Sequence, residues 1–172
     1  MIPTLEWLPN GVNFLDQTKL PLEETYVLAT DYKQVATVIR DMIVRGAPAI
    51  GVSAAMGMAI GIDRSTATDI PTLTAEVAII ASTLAETRPT AVNLFWGIDE
   101  VRSLYIELAA KNAPIPAIKA AVVARARQMY DEDIAACKQM GAHGASLLPQ
   151  QGTVLTHCNA GALATCGYGT AL

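Results

Sequence analysis

Residues 46–62 read GAPAIGVSAAMGMAIGI, and the next charge is Asp63. Seventeen uncharged residues in a row leave two readings, a membrane span or a helix enclosed by protein. A span takes about 20 strongly apolar residues, whereas this run is built from Gly, Ala and Met more than from Leu, Ile and Phe. It therefore predicts a buried helix, opened by Pro48 in the first turn, where proline is tolerated. A helix that is apolar all round needs other elements on every side.

The flanking sequence supplies them. Upstream, Val35, Val38, Ile39, Met42 and Ile43 fall at i, i+3, i+4, i+7 and i+8, one buried helical stripe. Asp31 is its expected N-cap and Gly46 its expected stop. Downstream, Pro71 opens a helix with Leu73, Val77, Ile80 and Leu84 on one face. Thr90 is the expected cap of a fourth, carrying Leu94, Phe95, Ile98, Val101, Tyr105 and Leu108. After Asn112-Ala113-Pro114 a fifth runs from about Ile115 to Met140, with Ile118, Val122, Met129, Ile134 and Cys137 as core. Ahead of the helices, TLEWLP, VNFLDQ and TYVLAT are separated by Asn10-Gly11 and by a turn over Lys19–Glu24. Asn-Gly is a strong hairpin signal, so a small three-stranded antiparallel sheet is expected. A sheet of that size is not stable alone and must lie on the helices.

Gly141 to Gly152 reads as a loop, GTVLTHC as a short apolar strand, and NAGALATCGYGTAL as a Gly-rich turn feeding a helix. Strand, glycine turn and helix form the opening of a βα unit. The pattern stops at Leu172 in mid-unit, which predicts the N-terminal part of a longer protein. The expected fold is thus an α+β domain over 1–140, a linker over 141–151, and the start of a second, α/β domain over 152–172.

The composition agrees. A length of 172 residues, 52% hydrophobic and 16% charged, excludes a disordered chain. Aromatics at 5% beside 29 alanines favour close-packed helices over an aromatic-lined barrel. Twelve basic against sixteen acidic residues give a net charge of −4, which argues against nucleic-acid binding. The start, MIPTLEWLP, lacks a signal peptide's basic and apolar regions. Cys137, Cys158 and Cys166 have neither a disulfide framework nor a zinc spacing, so a reduced, cytoplasmic setting without a metal is expected. A mean hydropathy of +0.33 without a membrane implies apolar surface covered by a further domain or a second subunit.

Three segments could carry chemistry. In Arg45-Gly46-Ala47-Pro48, the backbone N–H groups of Gly46 and Ala47 would lie at a helix start, where an anion is favoured. The Arg45 guanidinium could add a two-pronged phosphate contact. Otherwise it caps carbonyls of the preceding helix or stays solvated. Arg88, in Arg88-Pro89-Thr90, presents the same pair of readings. Cys158 would sit at the C-terminal end of a parallel strand, the edge at which open α/β sheets bind ligands. It is either a proton-transferring thiol or a small buried hydrophobe. His157 would point to the opposite face of that strand. Cys137 and Cys166 read as core, and His143 has no evident partner.

IRDMIVRGAPAIGVSAAMGMAIG, TRPTAVNLFWGID and GTVLTHCNAGALATCGYGTAL, in that order, resemble a known family. It is the one that methylthioribose-1-phosphate isomerases share with the regulatory subunits of translation initiation factor 2B and with ribose-1,5-bisphosphate isomerases. The resemblance extends to LEWLPNGVNFLDQTKLP and so covers essentially the whole chain. It implies an aldose–ketose isomerisation in methionine salvage, from 5-methylthioribose 1-phosphate to 5-methylthioribulose 1-phosphate, with no metal or organic cofactor. Arg45, Gly46 and Ala47 match the family's substrate-binding segment, Arg88 its second substrate-binding arginine, and Cys158 its active-site cysteine. The resemblance also implies an acidic aspartate beyond Leu172, a Rossmann-like C-terminal domain beginning at Thr153–Cys158, and a homodimer. Without those parts the 172-residue chain is expected to have little or no isomerase activity. Other outcomes within the family are a ribose-1,5-bisphosphate isomerase or a non-catalytic initiation-factor-type regulatory or assembly subunit.

Overall fold

The computed structural model describes residues 3–170. In chain order the elements are β1 (Leu5–Leu8), β2 (Gly11–Leu15), β3 (Tyr26–Ala29), α1 (Tyr32–Arg40), α2 (Ala47–Asp63), α3 (Ile70–Ala85), α4 (Val92–Ala110) and α5 (Ile115–Ala145). A 3-10 turn, Ala162–Ala164, follows. The expected antiparallel sheet and five helices are all present.

The strand order is β1-β2-β3, both pairs antiparallel, with Leu5 opposite Phe14 and Val12 opposite Ala29. Leu8 pairs with Gly11, so the hairpin turns through Pro9-Asn10 rather than Asn10-Gly11. The pyrrolidine ring holds φ of Pro9 near −65°, which excludes the positive-φ turn that Asn-Gly normally marks. Gly11 is needed instead for close approach, because a Cβ there would strike the Ala29 carbonyl of β3.

α2 is the hub. Every residue from Ala49 to Ile62 is buried, and the helix touches α1, α3, α4, α5, β1 and the 162–164 turn. Its glycines set the packing distances. A Cβ on Gly57 would press Leu84 and Val35, and one on Gly61 would press Ile80. No helix among the described residues is long and apolar enough to cross a membrane.

The remaining stripes match the buried faces, with informative exceptions. Asp31 caps α1, its carboxylate accepting from the Lys33 and Gln34 N–H groups. α1 stops at Arg40 rather than continuing to Gly46, since Met42 turns left-handed at φ 59°. The Ile43 N–H then closes onto the Val38 carbonyl, an ending that satisfies orphan carbonyls. Met42 is consequently exposed, not part of the stripe. α4 is capped from Ala91, not Thr90, and has no side-chain cap. α5 runs on to Ala145, past the expected end near Met140.

The largest departure is at the C-terminal end. Residues 153–157 form no strand and are exposed. A strand needs a partner for its N–H and C=O groups, and the three strands described pair only with one another. The helix expected after the glycine turn is also replaced, by the short 3-10 turn. Gly161, Gly167 and Gly169 have φ of 92°, 152° and 106°, and the Thr165 hydroxyl accepts the Gly167 and Gly169 N–H groups. Hydroxyl and positive-φ glycines together divert the backbone from a helical path.

Candidate active site

The segments singled out by sequence come from three places in the chain. Gly46 has φ of 94° and caps α2 with no side-chain bond. A Cβ on Gly46 would overlap the Ala164 Cα and carbonyl oxygen and lie 2.6 Å from the Ala164 Cβ. The loop entering α2 therefore presses backbone to backbone on the segment that follows Cys158. Glycine is required here twice, for the positive φ and for the contact.

The loop carrying Arg88 reaches the same end of the bundle. α2 and α4 cross through glycines: a Cβ on Gly97 would fall on the Gly51 carbonyl, and one on Gly51 would crowd Asn93 and Trp96. Gly51 is four residues past the start of α2, about 6 Å at 1.5 Å per residue, and Asn93 is in the first turn of α4. Both helices thus begin close to their crossing. Neither has a side-chain cap, so both present orphan N–H groups and a partial positive charge.

Arg45 is exposed and Arg88 half-buried. Among the described residues, neither guanidinium forms a hydrogen bond or ion pair with protein. Arg45 accordingly does not cap the carbonyls of α1. Each arginine loop thus leads an unpaired cation into an uncapped helix start, a locally anion-attracting combination in a chain whose net charge is −4.

Cys158 is the exposed thiol, with left-handed backbone at φ 63°. Such a conformation costs a non-glycine residue about 1–3 kcal/mol. The other two cysteines are buried. Burial, followed by the Asp133 carboxylate, pushes both the Cys137 and Cys166 thiols above their ordinary range. They remain protonated and inert near neutrality, as the core reading expects. His157 is exposed in the unpaired stretch, and His143 is exposed near the end of α5. No group of three or more His, Cys, Asp or Glu that could hold a metal is found among the described residues.

Sequence reasoning missed the groups that hold the Cys158 segment in place. The Thr4 hydroxyl donates to the Ala162 carbonyl at 3.0 Å, and the Gln17 amide to Leu163 at 2.8 Å. The Asp133 carboxylate accepts the Cys166 N–H at 2.8 Å. Each bond spans 33 or more residues, beyond the reach of a periodicity. The one available signal was three polar residues, Asp16-Gln17-Thr18, at the buried end of an apolar strand.

Residues 43–167 match the Initiation factor 2 subunit family, a span containing both arginine loops and Cys158. The chain belongs to that family. Methylthioribose-1-phosphate isomerase of Koribacter versatilis (strain Ellin345) is 54% identical over all of this chain and 48% of its own length. The protein of the same name from Trichlorobacter lovleyi is 47% identical over 98% of this chain, again 48% of its own. Of solved structures, 5-methylthioribose 1-phosphate isomerase from Pyrococcus horikoshii OT3 superposes with a TM-score of 0.91 at 38% identity. That match covers 98% of this chain and 47% of the other. Translation initiation factor eIF-2B subunit delta from A. fulgidus gives 0.86 at 34%, over 98% and 48%. The chain therefore spans about half the length of the curated relatives it matches.

Proposed function

We propose that these residues supply one half of an aldose–ketose isomerase site that converts 5-methylthioribose 1-phosphate into 5-methylthioribulose 1-phosphate in methionine salvage. The observation that carries this reading is the seating of Gly46 on Ala164. It joins an anion-attracting loop to the thiol-bearing segment, in a chain about half identical to relatives named for that reaction.

The chemistry suits these groups. A sugar phosphorylated at C1 is a locked acetal and offers no free aldehyde. The ring oxygen must take a proton as its bond to C1 breaks. Hydrogen then moves from C2 to C1, and the C2 hydroxyl loses its proton to become the ketone. Arg45, Arg88 and the N–H groups of Gly46 and Ala47 hold the phosphate in this reading. Cys158 works at the C1–C2 end, as proton carrier or as stabiliser, and an aspartate outside residues 1–172 protonates the ring oxygen. The reading needs no metal or organic cofactor. It includes a Rossmann-like domain beginning near Thr153, a homodimer and a cytoplasmic setting, and it expects the 172-residue chain alone to be close to inactive.

The test is turnover of 5-methylthioribose 1-phosphate by the full gene product, with ribose 1,5-bisphosphate assayed in parallel. Cys158→Ser is expected to lower kcat by about 100-fold or more, the loss typical of a proton-transferring group. Normal turnover by that variant would remove Cys158 from the mechanism. Run in deuterium oxide, full deuterium incorporation at C1 would exclude a direct hydride shift. A second reading, a regulatory or assembly role, draws on the likeness to the eIF-2B delta subunit. It is favoured if neither sugar phosphate is turned over.

A further inference from the structure

Gln17 occupies an unusual position. It is buried at 9% exposure and connects two segments that are 120 residues apart in sequence, since its partners are Ile43 and Leu163. Its backbone N–H donates to the Ile43 carbonyl at 3.0 Å, two residues before Arg45. Its side-chain amide donates to the Leu163 carbonyl at 2.8 Å, beside the Ala164 that Gly46 touches. One residue thus holds both the approach to the arginine loop and the segment that follows Cys158.

The neighbouring groups make Gln17 rigid. The Asp16 carboxylate accepts from the Thr18 N–H at 3.0 Å and from the Thr18 hydroxyl at 2.6 Å. The Asp16 N–H donates to Thr25 at 2.8 Å. Thr4, fully buried, holds the adjacent carbonyl of Ala162 and is itself tied to β2 through the Leu15 N–H. Ala164 and Cys166 are buried, so apolar contact also contributes to holding the segment against the domain. The polar bonds add register, because each ends on one particular carbonyl. Cys158 lies four residues before Ala162, and a chain spans at most about 3.3–3.6 Å per residue. Its Cα is therefore within about 14 Å of the nearer fixed point.

We infer that Gln17, with Thr4 beside it, is a positioning residue of the site: it sets the separation between the Arg45–Ala47 loop and the Cys158 segment by bonding to Ile43, which leads into the one, and to Leu163, which follows the other. The inference rests on the isomerase reading for its kinetic consequence but not for its structural one. Neither residue need touch substrate. A displacement of the order of 1 Å at reacting groups can cost about 100-fold in rate, and a register shift of the 162–166 segment is larger than that.

The experiment uses the full gene product with Gln17→Met, which keeps the length of the side chain and removes its donor. Thr4→Val and Thr4→Ser accompany it, removing and retaining the hydroxyl. With 5-methylthioribose 1-phosphate, Gln17→Met and Thr4→Val are expected to lose about 10–100-fold in kcat. KM is expected to stay within about threefold, because the arginine loop remains on the helical bundle. Thr4→Ser is expected to restore kcat. In parallel, iodoacetamide labelling read by mass spectrometry is expected to reach Cys166 at least about tenfold faster in the two donor-less variants, as the segment opens. Wild-type kcat with Cys166 still protected would overturn the inference. So would equal losses in Thr4→Val and Thr4→Ser that follow a lowered Tm, since that pattern belongs to folding alone. If the unsubstituted protein turns over no sugar phosphate, the isomerase reading fails, while Cys166 labelling still decides whether Gln17 and Thr4 hold the segment.

Discussion

Cys166 is fully buried, and its backbone N–H rests on the Asp133 carboxylate. Its thiol is pushed up first by burial and then by that negative charge. The unfolded chain has no such environment, so there the thiol ionises near its ordinary value of about 8.5. A folded-state pKa above the unfolded one contributes stability that is complete below the unfolded value and lost as pH rises past it. Stability is therefore expected to be insensitive to this group up to about pH 8.5, and then to fall by about 1.4 kcal/mol per pH unit. Chemical denaturation between pH 7 and 10.5 checks this, and Cys166→Ala is expected to flatten the upper part of the curve. Parallel curves for the two proteins would contradict the assignment. The sequence reads Cys166 as core within a final helix; it is buried, but in irregular backbone just after the 162–164 turn. Its carboxylate partner was not legible, because Asp133 lies 33 residues away on another element.

Among the elements, the crossing of α2 and α4 does most to place the arginine loops. Both backbones approach through glycine, and a Cβ on Gly97 would fall on the Gly51 carbonyl, a rigid backbone atom rather than a flexible side chain. Gly97→Ala is expected to force the helices apart and cost about 1–3 kcal/mol, the usual penalty for overpacking. Gly144 offers the opposite case, for it is helical in α5 with nothing within 4 Å of an added Cβ. Gly144→Ala is expected to stabilise by about 0.5–1 kcal/mol through helix propensity. Thermal unfolding of the two variants should move Tm in opposite directions. The helices themselves were readable because Leu73, Val77, Ile80 and Leu84 repeat with the helical period and are all buried. Their ends were less readable. Gly46 looks like a helix stop, yet it begins the next helix, because Met42 takes the left-handed turn normally given to glycine. The strand expected over GTVLTHC is not formed among the described residues for a different reason: a short apolar run describes a segment that could pair, and pairing depends on a neighbour.

At the scale of the molecule, a mean hydropathy of +0.33 is divided unevenly. Most of it is absorbed by α2 and the helices around it. A second share stays in water after the end of α5, where Leu147 is 85% exposed, Leu148 57%, Val154 54% and Leu155 94%. Leu148 and Val154 also line a groove of about 530 Å³ with Met140, Cys137 and Tyr168. Side chains of this kind gathered in one region mark a surface suited to being covered. Singly exposed apolar residues, common on any protein, would not concentrate in this way. The 172-residue chain produced alone is therefore expected to bind a hydrophobic dye and to associate with increasing concentration. Leu147→Lys with Leu155→Lys should suppress both, without lowering Tm, because neither side chain is packed in the folded domain. Sedimentation velocity over a concentration series reads the association, and dye fluorescence reads the exposed surface. Unchanged association in the double variant would move the source to another exposed patch, such as that of Phe95, Trp96 and Ile106 on α4. The patches differ in what they border: the 147–155 region leads directly into Cys158, three residues on, so a surface that covers it lies next to that exposed thiol.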